Sequence, residues 1–303
     1  MFRIFSKLIY KILKLIDNVL IKITKRSFLI WFKDFLEADA YKKVKINGHK
    51  EKEKEVKFFA PNYLASWLVD DFYRKEPETI EWINSFKTST KEIIFWDIGA
   101  NLGLYSIYAA IKHDKIKIIS FEPSTSNLRI LSRNISINNL QDKIMINQLP
   151  LGNKPFNFSP FRESQFGEGT SNNSFDSETN FEGKQLNSEN TYKLLGTSIN
   201  SLLEQKILEI PNYIKIDVDG LEHFILEGAS TYLNHPNIKS LQIELNENYI
   251  NQFETVKKIM KDHGFKFKFK KRNEDLEIYK NKAFFSIYNY YYEKTVNKDG
   301  TDD

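Results

Sequence analysis

The chain has 303 residues, 41% of them apolar, enough to bury the core of one large domain or two small ones. Its 44 Lys and Arg against 40 Asp and Glu leave a net charge of +4 spread along the chain, which argues against a general polyanion binder, and no nucleic-acid partner is expected. There is no cysteine, which excludes a disulfide framework, a thiolate zinc site, an iron–sulfur cluster and a cysteine nucleophile, and permits a cytoplasmic location. The five histidines, His49, His113, His223, His235 and His263, never stand four apart as a helical metal pair does, and no metal site is expected.

Residues 1 to 32 are interrupted by charge every three or four positions and fall short of the roughly 20 apolar residues that span a bilayer. Arg3, Lys7, Lys11, Lys14, Lys22 and Lys25 recur near helical spacing, while Phe2, Phe5, Ile9, Ile12, Leu13, Ile16, Leu20 and Ile23 fill the other side. This predicts an N-terminal amphipathic helix, either in peripheral contact with the cytoplasmic membrane face or docked on its own domain or a second subunit. No uninterrupted apolar region with a small-residue cleavage site follows, so a signal peptide is not expected. Residues 38 to 57 are rich in Lys and Glu and read as a solvated connector, making 1–55 a segment ahead of a domain over 56–294.

Within that domain a short helix is expected after Pro77, a buried strand over 93–96, a turn from Gly99 to Gly103, a helix through Leu104 and Ile111, a second strand over Ile116–Phe121 and a helix over 128–137. This βαβα rhythm predicts an α/β fold, a mostly parallel twisted sheet with helices on both faces. Residues 163–191 are polar and Ser/Asn/Gly-rich, and read as a mobile insertion or lid. The rhythm resumes with a strand over Tyr213–Ile216, a helix from Glu222 to Leu233, a strand over 240–245, a helix over 253–263, an alternating Phe265, Phe267, Phe269 strand and a last strand within 283–292. Residues 295–303 read as a frayed tail.

Two clusters at strand ends carry ligand-binding chemistry. Asp97-Ile98-Gly99-Ala100-Asn101-Leu102-Gly103 lies between a strand and a helix, where glycines let backbone approach a ligand and a helix start offers N–H groups to an anion. An acid stands where the dinucleotide motif has its first glycine. That acid would repel a pyrophosphate but could accept hydrogen bonds from an ammonium, so the loop suits S-adenosylmethionine better than NAD. Glu122, directly after the second strand, stands where ribose hydroxyls find a carboxylate. The cofactor-binding set is therefore Asp97, Gly99, Ala100, Asn101, Gly103 and Glu122.

The run from Phe95 to Ser106, Phe121-Glu122-Pro123 with Asn127-Leu128 and Asn134 downstream, and Ile214-Lys215-Ile216-Asp217-Val218-Asp219-Gly220-Leu221-Glu222 together resemble the FkbM family of methyltransferases, over roughly residues 76–250 and including Glu76-Pro77-Glu78-Thr79. The resemblance implies a Rossmann-like class I methyltransferase fold and methyl transfer to a hydroxyl oxygen, commonly on a sugar or a polyketide-like metabolite. Residues 1–55 and the polar insertion lie outside it.

Asp217 ends a buried strand and is expected to face the acceptor. Candidate bases for removing a hydroxyl proton are Asp217, Glu222, Glu244 and His223. Asp219 and Glu222 have a competing helix-terminus role, and His223 a packing role. The expected acceptor is a small molecule or glycan, such as a glycolipid precursor, and the oligomeric state stays open. An NAD-dependent oxidoreductase and a non-catalytic membrane-associated scaffold are the rival readings. The acid at position 97 counts against the first and the full acidic set against the second.

Overall fold

A computed structural model of the chain describes residues 2–48, 52–87, 92–272 and 284–294. The N-terminal amphipathic segment forms two helices where one was expected, α1 (Phe2–Thr24) and α2 (Phe28–Ala38). Lys25 turns the chain between them at φ 59, in the left-handed region. Asp17 of α1 is buried and accepts from the Ser27 hydroxyl at 2.7 Å and the Phe28 N–H at 2.8 Å, so an acid of the first helix satisfies the open N-terminus of the second.

The stretch read as a solvated connector is a β-hairpin, β1 (Tyr41–Asn47) and β2 (Glu53–Phe59), with Val44 opposite Val56. Its lysines and glutamates pair across the solvent face, Lys43 with Glu55 and Lys45 with Glu53, both at 2.8 Å. Ile46, Val56 and Phe58 alternate onto the core. Three short helices follow, α3 (Tyr63–Asp70), α4 (Phe72–Lys75) and α5 (Pro77–Asn84), the last opened by its proline at the first helical position.

The central sheet is built from β3 (Ile93–Ile98), β4 (Ile116–Phe121), β5 (Ile144–Asn147), β9 (Tyr213–Ile216), β10 (Ser240–Asn246), β11 (Phe265–Lys271) and β12 (Ile287–Lys294). Its order is β11-β12-β10-β9-β3-β4-β5, parallel throughout except that β12 runs against both neighbours. The connecting helices are α6 (Leu104–Lys112), α7 (Thr125–Ile137), α8 (Ile199–Glu204), α9 (Glu222–Glu227) and α10 (Ile250–Asp262). The helix expected to run on to Leu233 stops at Glu227.

Strands buried on both faces send alternate residues into two cores. Phe95, Ile118 and Tyr213 pack with α5, α6 and the hairpin, whereas Trp96, Ile119, Ile214 and Ile216 pack with α8, α9 and α10. Asn134 of α7 clasps the hairpin to the sheet, accepting from Phe59 N at 2.7 Å and donating to Leu102 O at 3.0 Å.

The segment expected to be a mobile insertion contributes to a second, antiparallel sheet of β6 (Asn157–Glu163), β7 (Asn173–Phe175) and β8 (Asn190–Gly196), in the order β7-β6-β8. Phe161 and Phe175 anchor it with Leu221. The buried Glu163 accepts from Ser124 Oγ at 2.6 Å and Asn190 Nδ2 at 2.8 Å. The expected 295–303 tail lies outside the described residues.

Candidate cofactor and acceptor site

The chain leaves β3 for β4 and β5 on one side of the sheet and returns to β9 and β10 on the other, so β3 and β9 flank the switch in strand order where open α/β sheets form a crevice. A cavity of about 420 Å³ lies there, within the range of small-molecule sites. Gly99, at φ 85, lines it together with Ala100 and Asn101, whereas Gly103, at φ 80 and expected to bind cofactor, does not line it and instead closes the loop behind it. A Cβ on Gly99 would sit 1.9 Å from Asp217 O, and one on Gly103 would sit 2.4 Å from Leu131 Cδ1. The Gly99 and Ala100 N–H groups both donate to Phe121 O at 3.0 Å, and Gly103 N–H to Ala100 O at 2.8 Å. The loop therefore uses these donors to hold its own shape, where ligand contacts were anticipated.

Glu122 lines the cavity from the end of β4. Its two oxygens accept from Asn101 N–H and Ser124 N–H, both at 2.8 Å, while burial pushes its carboxyl up to about 7 against the pull of those bonds. Asp97 lies beneath the loop and does not line the cavity. It is fully buried, accepts from Ser106 Oγ at 2.6 Å and stands 3.9 Å from Lys215 Nζ, and burial raises its carboxyl above the ordinary range.

The acceptor-side acids separate into two groups. Asp217 and Glu244 line the cavity. Lys215, buried and at matching register with Asp97, donates to Asp217 Oδ2 at 2.9 Å. Burial opposes ionisation at Asp217, but the Lys215 charge, with Lys75 and a hydrogen bond shared with Glu244, carries the net shift below the ordinary value. Burial and then the Asp217 charge push Glu244 well up, opposite in direction to Asp217. Burial would lower Lys215, yet Asp217, Asp97 and Glu76 together raise it.

Glu222 and His223 do not line the cavity. Glu222 is buried behind the turn, accepting from Val218 N–H at 3.0 Å and from the amide of Gln252, with burial pushing it up to about 8. It braces the Asp219-Gly220 turn from outside the cavity, in place of the expected role of removing the acceptor's proton. His223 is buried against Phe224, ring centroids 3.9 Å apart, and neither nitrogen has a hydrogen-bond partner among the described residues. Burial lowers its pKa, and its ring packs between Phe224 and Tyr249 and not in the cavity wall.

Several cavity residues were not among the candidate site residues, Asp219 having been read for a helix-terminus role. Asp219, at φ 58, accepts from Asn172 N–H at 2.6 Å, which ties the β6–β7 connection to the end of β9. Burial and then Asp217 push its carboxyl up to about 7. Thr170 O accepts from Asn101 Nδ2 at 3.2 Å and Asn127 Nδ2 at 3.1 Å, closing the same segment over the loop. Lys215 could have been found as a cation in the middle of an apolar strand. Asn172 and Asn173 had no signal beyond membership of a polar run.

These residues fit S-adenosylmethionine. Among the described residues the buried amide oxygens of Asn101, Asn172 and Asn173 have no hydrogen-bond partner, and all three residues line the cavity. Orphaned acceptors of this kind call for a ligand rich in donors, as an ammonium, two ribose hydroxyls and an adenine amine are. Glu122, Asp217, Asp219 and Glu244 add four carboxyl groups to the wall, further acceptors for hydroxyl and ammonium donors.

The profile of the methyltransferase FkbM domain matches residues 97–267, more than half of the chain. Methyltransferase sdnD of Sordaria araneosa is 45% identical over 42 residues, which span 14% of this chain and 16% of that protein. Among solved structures, methyltransferase FkbM of Methylobacillus flagellatus KT aligns with 76% of this chain and 62% of its own at 12% identity and a TM-score of 0.41. Precorrin-6y C5,15-methyltransferase of Geobacter metallireducens GS-15 aligns with 72% and 88% at 12% identity and 0.41. TrmK of M. capricolum, in complex with S-adenosyl-homocysteine, aligns with 74% and 71% at 12% identity and 0.42. The strand order, the cavity at its switch point and the family match agree: the chain belongs to the FkbM methyltransferase family, and its cofactor is S-adenosylmethionine.

Proposed function

We propose that the protein methylates a hydroxyl oxygen of a sugar, glycan or glycolipid precursor, with Glu122, Asn101, Asn172 and Asn173 holding the cofactor and Asp217 with Glu244 facing the acceptor. The observation that carries this reading is the placement of Asp217 and Glu244 together in the cavity wall, with Lys215 donating to Asp217 Oδ2 at 2.9 Å. An alcohol keeps its proton at neutral pH and needs an acceptor for it as the oxygen reacts. When bound, S-adenosylmethionine supplies an electrophilic methyl group. Lys215 aims the Asp217 carboxylate, Asp217 accepts the hydroxyl's hydrogen bond, and the carboxyl pair takes up the proton. Lys215 also weakens Asp217 as a base, so much of the rate comes from holding the hydroxyl in line. Polar side chains such as Ser164 and Gln165 on the wall suit a hydroxylated acceptor.

The test is transfer of isotopically labelled methyl to panels of sugar nucleotides, glycolipids, amines and RNA, with the product bond identified by NMR. A methyl ether on a hydroxylated acceptor is expected. Label on nitrogen alone would overturn the oxygen assignment. On the accepted substrate, Asp217→Asn is expected to lower kcat by about 100-fold or more, and Glu244→Gln, which keeps a neutral hydrogen-bonding group, by less than about 10-fold. Equal losses would refute the division of roles.

A further inference from the structure

Among the described residues, 17 of the 28 exposed large hydrophobic side chains fall within residues 2–36, although this stretch is a small part of the chain. On α1, Phe5, Leu8, Ile12, Ile16, Val19 and Ile23 form one exposed arc, while exposed Tyr10 and Ile21 lie on the basic side. Arg3, Lys7, Lys11, Lys14 and Lys22 occupy the opposite arc. Leu13 and Leu20, between these arcs, are the half-buried positions toward α2. α2 adds exposed Ile30, Trp31, Phe35 and Leu36. An exposed apolar surface of this extent marks an interaction site.

We propose that the α1–α2 hairpin is a docking surface for an anionic lipid bilayer. No helix among the described residues is long and apolar enough to cross a membrane, so the helices would lie in the interface plane. The charge pattern selects the occupant. Asp17 is the one acid on α1, and it is buried in the cap of α2, so every exposed charge on that helix is positive. Lys11, one turn from Leu8 and Leu15, and Lys22, one turn from Val19, border the apolar arc, where anionic headgroups would pair with them and their stems could lie along the acyl boundary, whereas a second copy packed on the same arc would leave these charges without partners. The hairpin also has a route to the cavity. Arg129 of α7 pairs with Glu37 of α2 and, at 2.8 Å, with Glu168, and the Glu168 backbone carbonyl accepts from Asn62 Nδ2 at 3.0 Å in the segment that covers the cavity. Docking would thus hold the cavity cover beside the bilayer surface.

This proposal does not depend on the chemistry of the acceptor. The experiment is co-sedimentation of the full chain with phosphatidylcholine vesicles with and without phosphatidylserine, in parallel with calorimetric titration of S-adenosylmethionine. Two variants are compared, Lys7→Glu/Lys11→Glu/Lys14→Glu and Ile12→Asp/Ile16→Asp, all at exposed positions outside the cavity. The wild type is expected to partition onto the anionic vesicles, less so as salt rises. With about fivefold per basic residue, the charge reversal should lower partitioning by more than about 100-fold. The isoleucine variant should also be released, and cofactor affinity should be the same in all three proteins. Equal partitioning of wild type and charge-reversed variant would overturn the proposal. So would a concentration-dependent dimer, abolished in the isoleucine variant, with no vesicle binding. Loss of cofactor binding in the wild type would instead speak against the site.

Discussion

Glu122→Gln tests the cofactor site most directly, because the substitution keeps the shape and removes one acceptor. In the native protein one oxygen holds the Asn101 N–H and the other the Ser124 N–H, each at 2.8 Å, and the side chain lines the cavity. The amide leaves an N–H group facing one of these donors and withdraws the charge from the ribose hydroxyls. Hydrogen bonds to a charged group contribute about 1.5–3 kcal/mol, so cofactor affinity should weaken about 10- to 150-fold. The pH dependence adds a second reading. Hydroxyl donors bind the carboxylate form, and the free protein holds Glu122 at about 7, so wild-type affinity should weaken about tenfold between pH 8 and pH 6. Glu122→Gln should flatten that dependence. Asp219 also sits at about 7, so Asp219→Asn is the control, expected to keep most of the slope. Calorimetric titration from pH 6 to pH 8.5 measures both quantities. A wild-type affinity independent of pH, together with an unchanged affinity in Glu122→Gln, would refute the assignment.

Three further outcomes follow from the buried charges and the loop. Lys215→Met strands Asp217 and Asp97 without their cation, and should cost about 3–5 kcal/mol in chemical denaturation, as removal of one partner of a buried pair does; a loss below about 1 kcal/mol would refute the role of the lysine. Gly99→Ala forces a left-handed alanine and a Cβ into Asp217 O, so cofactor binding by calorimetry should be lost, and near-native affinity would contradict the loop geometry. Glu122 and Asp219 at about 7 and Glu222 at about 8 hold protons more tightly than the ordinary carboxylates of the unfolded chain. Their contribution to stability is full below about pH 4 and is lost as pH rises through 7 to 8, so the melting temperature of the cofactor-free protein should fall from pH 6 to pH 8.5, and a rise would refute these shifts.

The sheet was legible because its strands are bounded apolar runs and its turns carry glycines that a specific close contact requires, as Gly99 shows against Asp217 O. The hairpin of β1 and β2 was hidden by its charges. Lys43, Lys45, Glu53 and Glu55 dominate the composition, although Val44, Ile46, Val56 and Phe58 already alternate with a period of two. The covering segment was hidden differently, since it is held by backbone bonds to Asp219 and side-chain bonds to Thr170 O that leave no periodic trace. At the site, the position of an acid in the chain did not reveal which way it faces. Asp217 opens onto the cavity, whereas Glu222, five residues on, turns back to hold the Val218 and Gly220 N–H groups. Lys215 was quoted within the family pattern, yet its effect on Asp217 emerges only when the neighbouring strands are aligned.

The alignment of Ser120, Asp97, Lys215 and Gln242 on four adjacent strands bears on how the chain finds its fold. Parallel strands buried on both faces are apolar almost throughout, so hydrophobic patterning says little about which residue should sit beside which. A slip of one residue in β9 would carry Lys215 to the opposite face, among Trp96 and Ile243 and away from Asp97. The cost of stranding that charge is several kcal/mol, more than a shifted apolar strand alone would incur. The four polar residues thus act as an index mark across the sheet, so the feature that poises Asp217 in the finished protein also excludes misregistered sheets during folding.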